Sequence, residues 1–358
     1  MKTAKKIDSR QANRNFGNPT RREFLQWVGI GVLGLAVARS KVFALDPAGT
    51  KILRGIFPIA QTPFTAADQL DLDALVREVE FIARGRVHGF VWPQMASEWT
   101  VLTEQERFAG AEAICAAGKK VRPVIVIGVQ GSDLTAVRKY VTHAKKVGAD
   151  AVISLPPSEN ADAKTLVEYY QAVGSMSDLP LFVQAVGNIT VEALLEMFRT
   201  IPTMRYIKDE FGEPLVHAAA LREKTSDQLK LFSGSHGRKL IEEMNVGFSG
   251  SMPAAGLADL YARTFDLWQE GKRDEARAMQ ARTMKALDQM LAYGMEGMKY
   301  VLYERGVFKT YAARKAKDLG FTATAAIVAG GVSARPLDDA GQKALGDMLV
   351  SLKPYLTA

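Results

Sequence analysis

Between residues 53 and 252, short β-rich runs alternate with longer helical patterns eight times over. The β-rich runs are "LRGIFPIA" (53–60), "HGFVWP" (88–93), "RPVIVIGV" (122–129), "DAVISLP" (150–156), "LPLFVQA" (179–185), "RYIKD" (205–209), "LKLFSG" (229–234) and "VGFSGSM" (246–252). Between them lie helical stretches such as "DLDALVREVEFIARG", "LTAVRKYVTHAKKVG" and "TVEALLEMFRTI". Several close on the glycine that a helix C-terminus favours. Strands that alternate with helices make a parallel sheet covered by helices. Eight such units over roughly 200 residues predict a (β/α)₈ TIM barrel. A doubly wound sheet is the other arrangement of such units, but no G-x-G-x-x-G follows the first strand.

From about Leu257 the pattern is wholly helical, through "DLYARTFDLWQEGKRDEARAMQARTMKALDQMLAYG" to a last helix in "DDAGQKALGDMLVSLKPYL". The expected organisation is therefore a leader over residues 1–44, a barrel over 45–256 and a C-terminal helical extension over 257–358. No low-complexity linker interrupts the mature region.

The formal net charge of +7 invites a polyanion partner, but its position argues otherwise. Residues 1–44 hold nine Lys/Arg and two acids, which leaves 37 basic and 37 acidic side chains in the rest. A neutral body gives no electrostatic footprint for nucleic acid. The basic leader reads as an export signal instead. "TRREFLQ" puts Arg21 and Arg22 before Phe24 and Leu25, "FLQWVGIGVLGLAVA" follows, and "VFA" ends at Ala44. This resembles a twin-arginine signal cleaved after Ala44, which implies the twin-arginine export machinery as a partner and a periplasmic location. An uncleaved anchor is the other reading, but the apolar run of about 15 residues is short of the roughly 20 a span needs. The single cysteine, Cys115, allows neither an internal disulfide nor a multi-cysteine metal site. No metal or cofactor is expected.

The chemistry concentrates in "RYIKDEFG" (205–212), where an apolar run reaches Ile207 and meets Lys208, Asp209 and Glu210. Barrel active sites lie at the C-terminal strand ends. Residues two apart on a strand share a face, so Lys208 and Glu210 point together and Asp209 points away. A lysine desolvated there needs a reason. It is either a structural ion pair at the barrel rim or a nucleophile that forms an iminium with a ketone.

The mature chain resembles the dihydrodipicolinate synthase / N-acetylneuraminate lyase superfamily across nearly all its length. The matching landmarks are "GIFPIAQTPF" (55–64), "GFVWPQMASEWTVLTEQER" (89–107), "HAKKVGADAVISLPP" (143–157), "LPLFVQ" (179–184), "YIKDE" (206–210), "LFSGSHG" (231–237) and "GFSGSMP" (247–253). The resemblance implies a (β/α)₈ barrel with a helical C-terminal extension, a homo-oligomer (dimer or tetramer), a 2-oxo acid substrate and a Schiff base on Lys208. Departures are as informative. Where the family has a Gly-Thr-Thr-Gly-Glu turn for the substrate carboxylate, this chain has Gln94, Met95, Ala96, Ser97 and Glu98, so only backbone N–H groups of Met95 and Ala96 remain to bind it. The family's proton-relaying tyrosine aligns with Ser158. These changes resemble a branch that acts on 2-keto-3-deoxy sugar acids, as do Glu210, Pro156–Pro157–Ser158, Gln184 and "ARPLDD" (334–339). "AVGN" after Gln184 departs from the acidic residue expected in that branch.

The expected site thus has Lys208, Glu210 and Ser158 as catalytic candidates. Met95, Ala96, Gln184, Ser233, Gly234 and Ser251 are expected to bind substrate. Glu210 is the candidate acid/base by position, or else only the salt-bridge partner of Lys208. The serines and glycines after strands seven and eight suit a polyhydroxylated acid, or are ordinary turn residues. Glu98 is expected to shape its turn. Of His88, His143, His217 and His236, only His236 is expected near the mouth, and none has metal spacing. The iminium permits either dehydration or retro-aldol cleavage. A synthase-type condensation with pyruvate and an inactive periplasmic binding protein are the alternatives.

Overall fold

A computed structural model of the 358-residue chain describes residues 44–45, 51–314 and 335–357. All of the predicted leader but Ala44, and the start of "ARPLDD", lie outside the described residues. Residues up to Ile52 form a unit separate from Leu53–Ala358. Within the former, Ala44–Leu45 pairs antiparallel with Lys51–Ile52.

The larger unit is a (β/α)₈ barrel. Its strands are β1 (Gly55–Ile56), β2 (Gly89–Trp92), β3 (Val124–Gly128), β4 (Ala151–Ser154), β5 (Leu181–Ala185), β6 (Met204–Asp209), β7 (Lys230–Ser233) and β8 (Gly250–Ser251). Neighbouring strands are parallel in the order β1-β8-β7-β6-β5-β4-β3-β2. The ring closes where Ile59 bridges Val91 and the N–H of Ala60 donates to the carbonyl of Val91 at 3.0 Å. The helices between are α1 (Leu72–Arg84), α2 (Glu104–Gly118), α3 (Leu134–Val147), α4 (Ala163–Gly174), α5 (Val191–Thr200), α6 (Pro214–Lys224) and α7 (Leu240–Asn245). After β8 come α8 (Ala258–Gln269), α9 (Arg273–Leu291), α10 (Gly294–Glu304) and α11 (Asp339–Leu352). Helix α8 packs on β1 as the barrel's eighth helix, within the stretch expected as extension.

Local sequence sets these boundaries. Side chains of Asp71, Thr103, Asp133, Asp162 and Thr190 each accept a backbone N–H at a helix start, a cap that stabilises by about 1 kcal/mol. The last predicted strand is shorter than expected. Residues 246–248 close α7 instead: the N–H of Gly247, at φ +95°, donates to Met244 and that of Phe248 to Glu243.

Strand register divides the side chains into two sets. Inside the barrel, Phe182 stacks on Tyr206 at 4.5 Å, and Phe57 and Phe232 meet edge-on at 5.0 Å. These rings fill the interior one layer below Lys208. The hydroxyl of Tyr206 accepts the N–H of Leu53 at 3.1 Å and ties the layer to the N-terminal end.

Candidate active site

Lys208 faces the interior, paired across the sheet with Gln184 of β5 and Phe232 of β7. Its Nζ lies 3.0 Å from Oε2 of Glu210, and both side chains are 5% exposed. Gln184 donates from Nε2 to the same Oε2 at 2.6 Å, and that nitrogen also reaches the sulfur of Met95 at 3.4 Å. The N–H of Glu210 donates to the carbonyl of Ala185, which continues the strand pairing to the tip. A charge taken out of water needs a close opposite charge and further hydrogen bonds. Here one carboxylate oxygen serves an ammonium and an amide together. Met95, Trp99, Leu155 and Val186 form an apolar cluster beside these groups.

The carboxylate fits because residue 234 is glycine. A Cβ there would stand 2.1 Å from Cγ and 2.3 Å from Cδ of Glu210.

The second wall is the 3₁₀ turn Met95–Ser97 after β2. The Ser97 hydroxyl donates to the carbonyl of Ala60 and accepts the N–H of Gln94 at 3.0 Å. Thr62 donates to the carbonyl of Ser97, and Gln61 to that of Ala96. Among the described residues no acceptor takes the N–H of Met95 or Ala96. The turn ends at Glu98 in the left-handed region, φ +54°. Glu98 is buried and pairs with Lys299 of α10, while its Oε1 accepts the N–H of Arg314 at 2.8 Å. Burial raises the Glu98 carboxyl against the pull of Lys299, and burial lowers the Lys299 ammonium.

Not every predicted residue joins this group. Asp209, Ser233 and Ser251 lie in register across β6, β7 and β8, on the face opposite Lys208. Ser233 and Ser251 were expected to bind substrate; they are instead the last residues of their strands, and the strict alternation turns them toward the helices. Ser158 is exposed on the loop after β4. Tyr169 and Tyr170 of α4 sit behind β4: Tyr169 shares a hydrogen bond with the Ser154 hydroxyl at 3.0 Å, and Tyr170 donates to the carbonyls of Ser154 and Gln184. Burial raises both phenols.

Behind Lys208 lies a second polar group that sequence reasoning missed. Asp209, fully buried, meets Nε2 of His217 at 2.8 Å, and His217 stacks on Phe211 at 4.2 Å. Burial raises the Asp209 carboxyl, and His217 opposes the rise. Glu243 of α7, 2% exposed, is pushed up to about 7, chiefly by burial, with Asp209 adding to it and Ser233 opposing it. The signal for Lys299 was available: a lysine inside the apolar run Met298–Leu302 has no water to reach. Among the described residues no cluster of three His, Cys, Asp or Glu could hold a metal ion.

Residues 52–317 match the profile of the Dihydrodipicolinate synthetase family. An L-2-keto-3-deoxyarabonate dehydratase of Azospirillum brasilense is 26% identical over 234 residues, 63% of this chain and 75% of that protein. A 4-hydroxy-tetrahydrodipicolinate synthase of Rhizobium meliloti is 27% identical over 167 residues, 45% of this chain and 56% of that protein. The crystal structure of dihydrodipicolinate synthase from Rhodopseudomonas palustris superposes with a TM-score of 0.72 at 21% identity, covering 83% of this chain and 97% of that one. At that identity the likeness is one of fold.

Proposed function

The chain belongs to the dihydrodipicolinate synthetase family, and on that premise we propose that it is an exported Schiff-base lyase that removes water from a 2-keto-3-deoxy sugar acid. The observation that carries this reading is the buried contact of Lys208, Glu210 and Gln184 at the C-terminal ends of β5 and β6. The likeness to a 2-keto-3-deoxyarabonate dehydratase supports the sugar-acid branch.

The chemistry follows from the geometry. Lys208 must be neutral to attack a C2 ketone, and Glu210, 3.0 Å away, is the acceptor nearest to hand. The amine adds to C2, water leaves, and an iminium forms. Its positive nitrogen draws electrons from C3 and makes the C3 protons acidic. Glu210, which returned the lysine proton to the departing C2 oxygen, removes one of them and gives it to the C4 hydroxyl, and the C4–O bond breaks with loss of water. Hydrolysis of the iminium then releases the product and returns Lys208. Glu210 fits this role because it touches both Lys208 and Gln184, and position is the first requirement of an acid/base group. The open N–H groups of Met95 and Ala96 are the donors for the substrate carboxylate, in place of the missing hydroxyls. Export through the twin-arginine machinery would put this chemistry in the periplasm, and a homo-oligomer, dimer or tetramer, is the proposed assembly.

Borohydride reduction in the presence of pyruvate, read by intact mass, tests the nucleophile. The wild type is expected to gain one reduced adduct and Lys208→Ala none. A panel of 2-keto-3-deoxy acids then names the reaction: a product lighter by one water supports dehydration, whereas release of an aldehyde replaces it with retro-aldol cleavage. Condensation of pyruvate with aspartate semialdehyde would overturn the sugar-acid reading, and absence of any adduct would overturn the Schiff base.

A further inference from the structure

Lys299 lies outside the barrel's strands, on α10, yet it is completely buried. Its ammonium meets three things: the carboxylate of Glu98, the carbonyl of Ala312 at 2.8 Å, and the ring of Phe64, 4.4 Å from the centroid. Glu98 is held from a second direction by the N–H of Arg314. Arg314 in turn reaches Asp68 at 2.8 Å and Glu106 at 2.8 Å, and stacks over the same Phe64 at 3.9 Å. Loops after β1 and β2, helix α10 and residues 312–314 therefore meet around the Glu98–Lys299 pair and Arg314.

Burying a lysine in a barrel's flank is costly, and a hydrophobic residue of similar size would hold the helix there as well. A charged pair adds something apolar packing lacks: a fixed direction. Glu98 is the residue that closes the turn carrying Met95, Ala96 and Ser97, and it does so at φ +54°, a conformation disfavoured for a residue with a Cβ. Strain of this kind persists only where the surroundings over-determine it. Ser97, Thr62 and Gln61 hold the front of the turn; at the Glu98 side chain itself the surroundings are Lys299 and the Arg314 N–H.

We propose that Lys299 and Glu98 are positioning residues for substrate: through this pair the C-terminal helical region holds the Met95–Ala96 N–H groups in the orientation that binds the carboxylate of a 2-oxo acid. The inference rests on the proposed Schiff-base reading and deepens it. In a turn without hydroxyl side chains at its two donor positions, the backbone alone must make these hydrogen bonds, and backbone donors cannot readjust as a side chain can. Their aim is set by whatever fixes the turn. Neither Lys299 nor Glu98 takes part in the chemical step.

Trapping with two ketones separates this role from general support of the fold. Pyruvate carries the carboxylate; methyl pyruvate keeps the same ketone and lacks the charge. For Lys299→Met, and for the isosteric Glu98→Gln if the first variant does not fold, the half-saturating pyruvate concentration in borohydride trapping should rise about tenfold or more, as for a lost hydrogen bond to a charged group. The maximal yield of adduct and the half-saturation by methyl pyruvate should stay as in the wild type. Equal loss with both ketones, a lower yield at unchanged half-saturation, or no change with either would each overturn the proposal while leaving the Schiff-base reading intact. A wild-type protein that forms no adduct with pyruvate would remove both.

Discussion

Gly234 leaves the space that the carboxylate of Glu210 occupies. A methyl group at residue 234 would overlap the Glu210 side chain at 2.1 to 2.5 Å, and Gly234 is not among the glycines at positive φ. Gly234→Ala should therefore leave the backbone in place and swing a flexible side chain away from Lys208 and Gln184. Turnover is expected to fall at least tenfold, since a misplaced general acid/base forfeits part of a contribution of about a hundredfold or more. Steady-state rates beside a thermal melt would check this; full activity in Gly234→Ala would mean the carboxylate is not needed where it stands.

Glu210→Gln separates adduct formation from proton transfer. The amide keeps the shape of the side chain and water can take the Lys208 proton in place of Glu210, so borohydride should still trap an adduct on Lys208, more slowly, with turnover reduced by roughly a hundredfold to ten-thousandfold. Unchanged turnover would remove Glu210 as the acid/base.

The eightfold alternation made the barrel legible, because period 2 and period 3.6 are written directly in the apolar positions. The same period 2 correctly put Lys208 and Glu210 on one face and Asp209 on the other. It was not applied to Ser233 and Ser251, although the strands read over 229–234 and 246–252 contain both; their pairing in register with Asp209 puts them on the face opposite Lys208. Contacts between distant segments were not legible at all. Nothing near Glu98 in the chain points to Lys299, some 200 residues away, and the spacing of Asp209 and His217 becomes meaningful only once α6 folds back on β6.

Glu243 makes stability depend on pH. Its carboxyl is pushed up to about 7 in the folded protein from an ordinary value of 4.5. The folded state therefore binds more protons than the unfolded chain between these values. Its contribution is fully present below pH 4.5 and is lost as pH rises to about 7. Glu243→Gln, neutral at every pH, should be more stable than the wild type at pH 8 by up to about 3 kcal/mol, and should differ little near pH 4. Urea unfolding at both pH values would show it; an equal effect at both would mean the carboxyl does not titrate in that window.

Ser158 is exposed on its loop, where the family resemblance suggested a proton relay. Ser158→Ala should cost under about tenfold in rate, the scale of one neutral hydrogen bond. A loss near a thousandfold would show that the hydroxyl takes part in the reaction.

Arg21 and Arg22 carry the export proposal. Replacing both by lysine should leave the precursor in the cytoplasm at its full length, whereas the wild type should lose about its first 44 residues. Fractionation and intact mass would decide, and normal export of the double variant would end the twin-arginine reading.

The layer of Phe57, Phe182, Tyr206 and Phe232 makes the barrel a vessel with a floor. On the proposed reading, substrate and products pass the strand ends on the Lys208 side of that floor. A water molecule slips out of such a vessel beside the remaining carbon chain, but an aldehyde fragment would queue with the next substrate at the threshold. The floor thus gives the two reactions different congestion. Dehydration leaves one organic product to clear, while cleavage leaves two that compete with substrate for the exit.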